Sequence, residues 1–214
     1  VKSKSKKFLF FSSGEVYGNP IHPDEFIQED DYGYIDPMNI RSCYAESKRM
    51  GETMCVAWGR QYGLHINVVR PFHTYGPGIA LNDGRVFADF VANIIKGQDI
   101  VLKSDGLAKR PFCYISDAII GFLTVLISGK DAEAYNIGNP EAEISIRDLA
   151  LEIVDLRPEL KLRVKFNAKD DGNKYIKSPV SRACPSIDKV SHIGWIPSIG
   201  IKEGFNRTIK SFFK

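Results

Sequence analysis

Cysteine is scarce and unpatterned: Cys43, Cys55, Cys113 and Cys184 form no C-x-x-C pair and stand at no His/Cys ligand spacing. This argues against a disulfide framework or a zinc site, and reads as free thiols in a reducing, cytoplasmic compartment. Cys43, beside Tyr44, has no nearby histidine to activate it and reads as a small flanking residue rather than a nucleophile. No apolar run reaches transmembrane length, so neither a membrane partner nor a secretory leader is expected. Excess charge is also missing: the formal net charge is +3, too little to argue for nucleic acid. The one dense basic run, Lys2-Ser3-Lys4-Ser5-Lys6-Lys7, has no interleaved aromatics and reads as a solvated segment before a strand. There is no internal repeat, no low-complexity tract, no metal-ligand cluster and no Ser-His-Asp spacing. An initiator Met is absent too.

What is present is ordinary for a globular chain of 214 residues, with 43% hydrophobic and 26% charged residues, enough for one domain or a closely joined pair. Phe8–Phe11 is a continuous apolar strand of the kind buried on both faces of a parallel sheet. Such a strand needs neighbours, so the chain is expected to be the C-terminal part of a longer protein. Polar residues 12–15 follow at the strand's carboxyl end, where ligands bind in open α/β sheets. Residues 18–40 read as a long surface loop with room for a functional role. Ser42 is expected to cap a helix ending at Gly63, whose packing face is Ser47, Gly51, Met54, Cys55 and Trp58. A strand at 64–69 then leads into the tight turn 70–78. Strand, helix and strand in this order form a βαβ unit, hence parallel pairing.

Further along, helices are expected at 86–96 and from Ser116 or Asp117 to 127, either residue capping the second. Others are expected at 146–155, capped by Ser145, and at 201–213. Short strands are expected at 100–102, 112–114, 134–137 and 162–166. The polar stretch 167–186 is either a segment closing over a ligand or a plain surface loop.

The central motif is Tyr44-Ala45-Glu46-Ser47-Lys48. On a helix, Tyr44 and Lys48 lie one turn apart on one face, and an ammonium beside a phenol favours the phenolate. Tyr44 would then serve as a proton acceptor. With 9 tyrosines in the chain, the spacing alone is close to chance; context carries it. The loops at 12–15 and 71–78 and the start of the helix at 42 converge at one end of such a sheet. Glu15 reads as an acid/base or a surface carboxylate. Arg85 and Arg110 read as phosphate holders or exposed cations. His73 is a ligand donor or a satisfied loop histidine, and Arg182 is a weaker candidate of the same kind.

The ordered set Ser-Ser-Gly-Glu-Val-Tyr-Gly (12–18), Tyr-Ala-Glu-Ser-Lys (44–48), Arg-Pro-Phe-His-Thr-Tyr-Gly-Pro-Gly (70–78), Asn-Asp-Gly-Arg-Val (82–86), Arg-Pro-Phe-Cys-Tyr-Ile-Ser-Asp (110–117) and Tyr-Asn-Ile-Gly-Asn-Pro (135–140) resembles the extended short-chain dehydrogenase/reductase family. Its members are NAD-dependent nucleotide-sugar epimerases, dehydratases and decarboxylases, and the nearest branch is the UDP-glucuronate decarboxylases. The resemblance spans essentially the whole chain. It implies an α/β fold: the C-terminal part of a Rossmann-type parallel sheet (1–75 and 112–138) with an interleaved, smaller substrate lobe (76–111 and 139–214).

It also implies a preceding glycine-rich βαβ unit, roughly a third of a typical member, so that this stretch alone would bind NAD poorly. Tyr44 would accept the proton of the sugar 4-hydroxyl, Ser13 would hydrogen-bond that hydroxyl, and Lys48 would hold the nicotinamide ribose. Glu15 falls where decarboxylases and 4,6-dehydratases carry an active-site glutamate. Ser12, Tyr44, Lys48, Pro71, Phe72 and His73 fall on the cofactor side. Glu15, His73, Arg85, Val86, Arg110 and Arg182 fall on the substrate side, facing a nucleotide-diphosphate sugar. A homodimer through the 42–61 helix is implied as well.

Several positions depart from the pattern. Gly14 stands where dehydratases carry Asp and decarboxylases Ser. Ser13 stands for Thr, and His73 for Asn. By the resemblance, the decarboxylases' late arginine should fall close to Ala183, with Arg182 one place off. The alternatives to decarboxylation are 4-epimerisation and a non-catalytic nucleotide-sugar-binding remnant.

Overall fold

The computed structural model describes residues 7–166 and 180–213. In chain order the strands are β1 (Lys7–Phe11), β2 (His65–Pro71), β3 (Thr74–Tyr75), β4 (Ile100–Leu102), β5 (Lys109–Pro111), β6 (Cys113–Tyr114), β7 (Glu133–Ile137), β8 (Glu143–Ser145) and β9 (Val164–Phe166). The helices are α1 (Ser42–Tyr62), α2 (Val86–Ile95), α3 (Ile115–Ser128), α4 (Ile146–Asp155), α5 (Asp188–Ser191) and α6 (Ile201–Lys210). A 3-10 turn, Gly14–Tyr17, follows β1. Among the described residues no helix is long and apolar enough to cross a membrane.

The central sheet has the order β1-β2-β7, all parallel, with Phe8 opposite Ile66 and Val68 opposite Ala134. β2 is the middle strand and is buried from Ile66 to Arg70, as a strand with two neighbours and two covered faces must be. β1 departs from the expectation of full burial: Phe8 and Phe11 are each 48% exposed. Among the described residues β1 pairs only with β2, so its outer edge and part of its face meet solvent. The three carboxyl ends stay in step beyond the strands, with Ser12 N donating to Val69 O and Phe72 N to Ile137 O, both at 2.8 Å.

α1 lies against β1 because Gly51 lets the Phe10 ring approach; a Cβ there would sit 2.3 Å from it. Cys55 is buried, whereas Ser47, Met54 and Trp58 of the expected packing face are exposed. Gly63 closes the helix in the left-handed region, φ 63°, where glycine carries no Cβ penalty. Ser42 does not cap it. The cap position is Arg41, and Ser42 Oγ instead donates to Asp36 O at 2.6 Å. Asp117 does not cap α3 either, nor does Ser116. The cap is Tyr114, and the buried Asp117 carboxylate accepts from Ser198 N, Ser198 Oγ and Ile199 N. Trp195 Nε1 donates to the Asp117 carbonyl at 2.9 Å, so this residue fastens the 195–199 segment under α3. Ser145 caps α4 as expected, its Oγ accepting from Asp148 N at 3.0 Å.

A second core gathers Phe87, Phe90, Ile94, Ile100, Phe112, Leu149, Ile153, Phe205 and Ile209 between α2, α4 and α6. It meets the sheet end through β3 and β6, which pair in parallel. The segment expected to close over a ligand falls largely on 167–179, outside the described residues. Its described end, 180–186, runs beside the 18–40 loop, Ile27 N donating to Cys184 O at 2.8 Å.

Candidate active site

The carboxyl ends of β1 and β2, the first turn of α1 and the loops before α2 and at 180–183 enclose a cavity of about 400 Å³. Its lining includes Ser12, Ser13, Glu15, Tyr44, Pro71, Phe72, His73, Arg85 and Arg110. Nine residues singled out in the sequence, from segments as far apart as 12 and 110, thus share one wall: the parallel strands β1 and β2 deliver their following loops to the same end, and Arg85, before α2, and Arg110, on β5, meet them there.

Ser13 is held extended, and its Oγ accepts from Glu15 N at 3.2 Å, starting the 3-10 turn. Its hydroxyl hydrogen remains available to donate. Tyr44 is half exposed at the cavity edge. Lys48 does not line the cavity. Its Nζ donates to Phe11 O at 2.9 Å and lies 5.7 Å from the centre of the Tyr44 ring and 5.5 Å from that of Phe10. The lysine is therefore pinned at the end of β1, one turn below the tyrosine.

Ser12 Oγ, His73 Nδ1 and Thr74 Oγ1 are sealed from solvent without a hydrogen-bond partner. Orphaned polar atoms of this kind are rare in folded proteins and call for an account. Three of them on one cavity wall fit a ligand with its own donors and acceptors. His73 also takes a positive φ of 34°, uncommon for a residue with a side chain and most easily borne by Asn, Asp or His. Burial, followed by the charges of Arg110 and Arg85, pushes its imidazole down to about 3, so it is neutral at physiological pH.

Between the folded value and the ordinary 6.5 the unfolded chain holds a proton that the folded chain lacks. The protein therefore loses stability as pH falls through that window. His73→Asn should flatten this loss in urea midpoints measured from pH 7 to 4; an unchanged slope would contradict it.

Arg85 is bonded through Nε to Asp83 at 2.8 Å and lies over the Phe87 ring. Arg110 donates to Val180 O at 2.8 Å and Ser181 O at 3.1 Å. Both guanidiniums are fixed at the wall, that of Arg85 as an ion pair with Asp83. Two further candidates, like Lys48, do not line the cavity: Val86 gives way to its neighbour Phe87, which does. Arg182 is engaged by Glu143 (Nε–O 2.8 Å), by Pro23 O and Glu25 O, and over the Phe26 ring. Gly14, Thr74, Val180 and Ala183 line the cavity without having been candidates. Thr74 follows His73 directly, and Ala183 lies next to Arg182. Gly14 has a physical reason to be glycine, since a Cβ would come within 2.8 Å of the Phe72 ring. Among the described residues no group of side chains is arranged to hold a metal ion.

Comparison with known proteins gives the family. Residues 1–138 match the family described as NAD dependent epimerase/dehydratase family. UDP-glucuronic acid decarboxylase 3 of Arabidopsis thaliana is 36% identical over 206 residues, 95% of this chain and 56% of the relative. UDP-glucuronic acid decarboxylase 1 of Xenopus tropicalis is 33% identical over 217 residues, all of this chain and 48% of the relative. The chain thus spans about half the length of the curated relatives it matches. A UDP-glucose 4-epimerase of Thermotoga maritima, solved with UDP-glucose, superposes with a TM-score of 0.81 over 98% of this chain and 64% of that one, at 23% identity. RMD of Pseudomonas aeruginosa, solved with NADPH, gives 0.78 over 96% of this chain and 66% of that one, at 27% identity. From the sheet, the converging loops and the match over residues 1–138, the chain belongs to the NAD dependent epimerase/dehydratase family.

Proposed function

We propose that this chain carries the proton-transfer and nucleotide-sugar side of an NAD-dependent enzyme that oxidises a sugar at C4, of the UDP-glucuronate decarboxylase type. The observation that carries the reading is the shared cavity wall of Ser13, Glu15, Tyr44, His73, Arg85 and Arg110. Segments 1–75 and 112–138 would form the cofactor side, and 76–111 with 139–214 the sugar-nucleotide side. The orphaned Ser12, His73 and Thr74 atoms fit the polar edge of a nicotinamide, while Lys48 would meet its ribose. NAD, when bound, would take the C4 hydrogen as hydride and give it back to C4 after CO₂ has left, with the proton returning to O4 from Tyr44, so that the conversion to a UDP-pentose is redox-neutral overall.

The chain's own residues handle the rest. Tyr44 takes the proton of the 4-hydroxyl, and Ser13 steadies that oxygen through its free hydroxyl hydrogen. Arg85 and Arg110 set positive charge against the diphosphate. A 4-keto uronate is a β-keto acid: its C5–C6 bond breaks, CO₂ leaves, and the electron pair rests as an enolate on O4, where Tyr44 and Ser13 are donors. Glu15 is the cavity's carboxylate for proton exchange at C5.

One observation favours a second reading, 4-epimerisation. Ala183 lines the cavity close to where, by the resemblance, the decarboxylases' arginine should fall, and Arg182 is turned to Glu143 and the 18–40 loop. Protein made from its complete coding sequence, given UDP-glucuronate and NAD, should release CO₂ and a UDP-pentose. An epimerised uronate without CO₂ would select the second reading, and no turnover of any nucleotide sugar would leave only a binding module.

Self-association through α1 belongs to the same proposal. Met50, Met54 and Trp58 recur every four residues on its exposed side, a stripe wide enough to seat a second copy. Sedimentation should show a dimer that Trp58→Glu converts to monomer; a monomeric parent protein would refute it.

A further inference from the structure

The segments that line the cavity are joined behind it by a buried polar network centred on Arg70. Its guanidinium is bidentate to Glu52 of α1, at 2.9 and 2.6 Å. The same group donates through Nη1 to the Tyr17 hydroxyl at 2.8 Å and to Glu29 O at 2.7 Å. The Tyr17 hydroxyl in turn donates to Asn136 Oδ1 of β7 at 2.6 Å, and Asn136 N donates to Glu29 Oε1 at 2.8 Å. Tyr17 also stacks on Phe72, ring centres 6.0 Å apart. Arg70, Tyr17, Glu29 and Asn136 are all buried.

Tyr17, Glu52 and Arg70 sit on three different site-bearing segments. Tyr17 ends the turn that starts with Ser13 and Glu15. Glu52 lies two turns along α1 from Tyr44, and Arg70 immediately precedes Pro71, Phe72 and His73. None of Arg70, Glu52 and Tyr17 lines the cavity. Buried ion pairs contribute little net stability, because desolvation offsets the attraction, and apolar replacement is often neutral or stabilising. In some proteins such groups instead fix one geometry where apolar packing would allow several.

We propose that Arg70, with Glu52 and Tyr17, is a positioning residue: it sets the mutual register of the Ser13–Glu15 turn, the Tyr44 end of α1 and the 71–74 wall. The proposal rests on the functional reading above for its kinetic consequence, and on the network alone for its structural one.

The test uses two variants of the protein made from its complete coding sequence. Arg70→Met/Glu52→Leu/Tyr17→Phe replaces the ion pair and its phenol by apolar groups, leaving Glu29 O and Asn136 Oδ1 without these donors. Its melting temperature should fall by much less than that of Arg70→Met alone, while kcat falls about 100-fold, the scale expected when reacting groups are misplaced by an ångström, with KM moving less than about threefold. Tyr17→Phe removes a single hydroxyl. Its amide NMR spectrum should shift at 12–15, 44–48 and 71–74 together, a readout that needs no turnover. Kinetics within twofold of the parent in the triple variant would overturn the proposal. So would a loss that merely follows a fallen melting temperature, or shifts in Tyr17→Phe confined to residues 16–18. Should the triple variant not fold, the Tyr17→Phe spectrum decides alone. Should the parent turn over no sugar nucleotide, the functional reading fails and the same spectrum still decides the positioning role.

Discussion

Tyr44→Phe should lower turnover by about 10²- to 10⁴-fold, the range contributed by a positioned general acid or base, while nucleotide-sugar affinity stays within a few-fold of the parent. The variant loses one oxygen. Among the described residues no hydrogen bond holds the Tyr44 hydroxyl, and the ring is half exposed, so folding is expected to be indifferent to the change. Lys48 keeps its bond to Phe11 O, and Arg85 and Arg110 keep theirs, so the groups that would grip the diphosphate are untouched. The effect therefore falls on kcat alone, as it must when an interaction made only in the transition state is removed. Steady-state kinetics paired with calorimetric titration of UDP check it; near-parental turnover would remove Tyr44 from the chemistry.

Arg70→Met alone should cost about 3–5 kcal/mol of stability, the usual result of removing one partner from a buried ion pair. Glu52, whose side chain is 16% exposed, would be left charged beside apolar surface, and the Tyr17 hydroxyl and Glu29 carbonyl would each lose a donor. Burial acts to lower the Arg70 pKa, but the Glu52 carboxylate more than offsets it, so the guanidinium stays charged in the fold. Burial likewise keeps the Tyr17 phenol protonated. A chain of this size should then melt on the order of 10 °C lower. The exposed pair Arg207–Glu203 on α6 makes the contrast: its removal should change stability by less than about 1 kcal/mol. Urea unfolding at constant slope measures both, and a small Arg70→Met effect would show that Glu52 finds water or another partner.

Much of this was legible because the signals are local. Strand, glycine-terminated helix and strand announce parallel pairing without any contact information, and parallel pairing brings residues 12–15 and 71–74 to one end. Tyr44, Ser13, Glu15 and His73 reach the cavity for that reason, whereas Arg85, before α2, and Arg110, on the antiparallel β5, are brought there by the rest of the fold. Most of the misses have a different cause, a partner far away in sequence. Asp117 reads as a helix cap, but Ser198 and Ile199 lie 81 and 82 residues on and claim its carboxylate. Ser42 loses its cap role to the Asp36 turn. Arg182 reads as a ligand-binding cation until the 18–40 loop and Glu143 fold around it. The Arg70 network was invisible for the same reason, its members being scattered from 17 to 136. Val86 against Phe87 is a one-residue error at a helix start, where a 100° step decides which side chain faces the cavity.

The most direct test of the central claim is a crystal structure of the protein made from its complete coding sequence, with NAD and UDP-glucuronate bound to the Tyr44→Phe variant. The sugar O4 should lie within about 3 Å of Ser13 Oγ and beside the edge of the substituted ring at position 44, with diphosphate oxygens on Arg85 and Arg110. A sugar turned away from residues 13 and 44, or a nucleotide bound outside the cavity, would contradict the account.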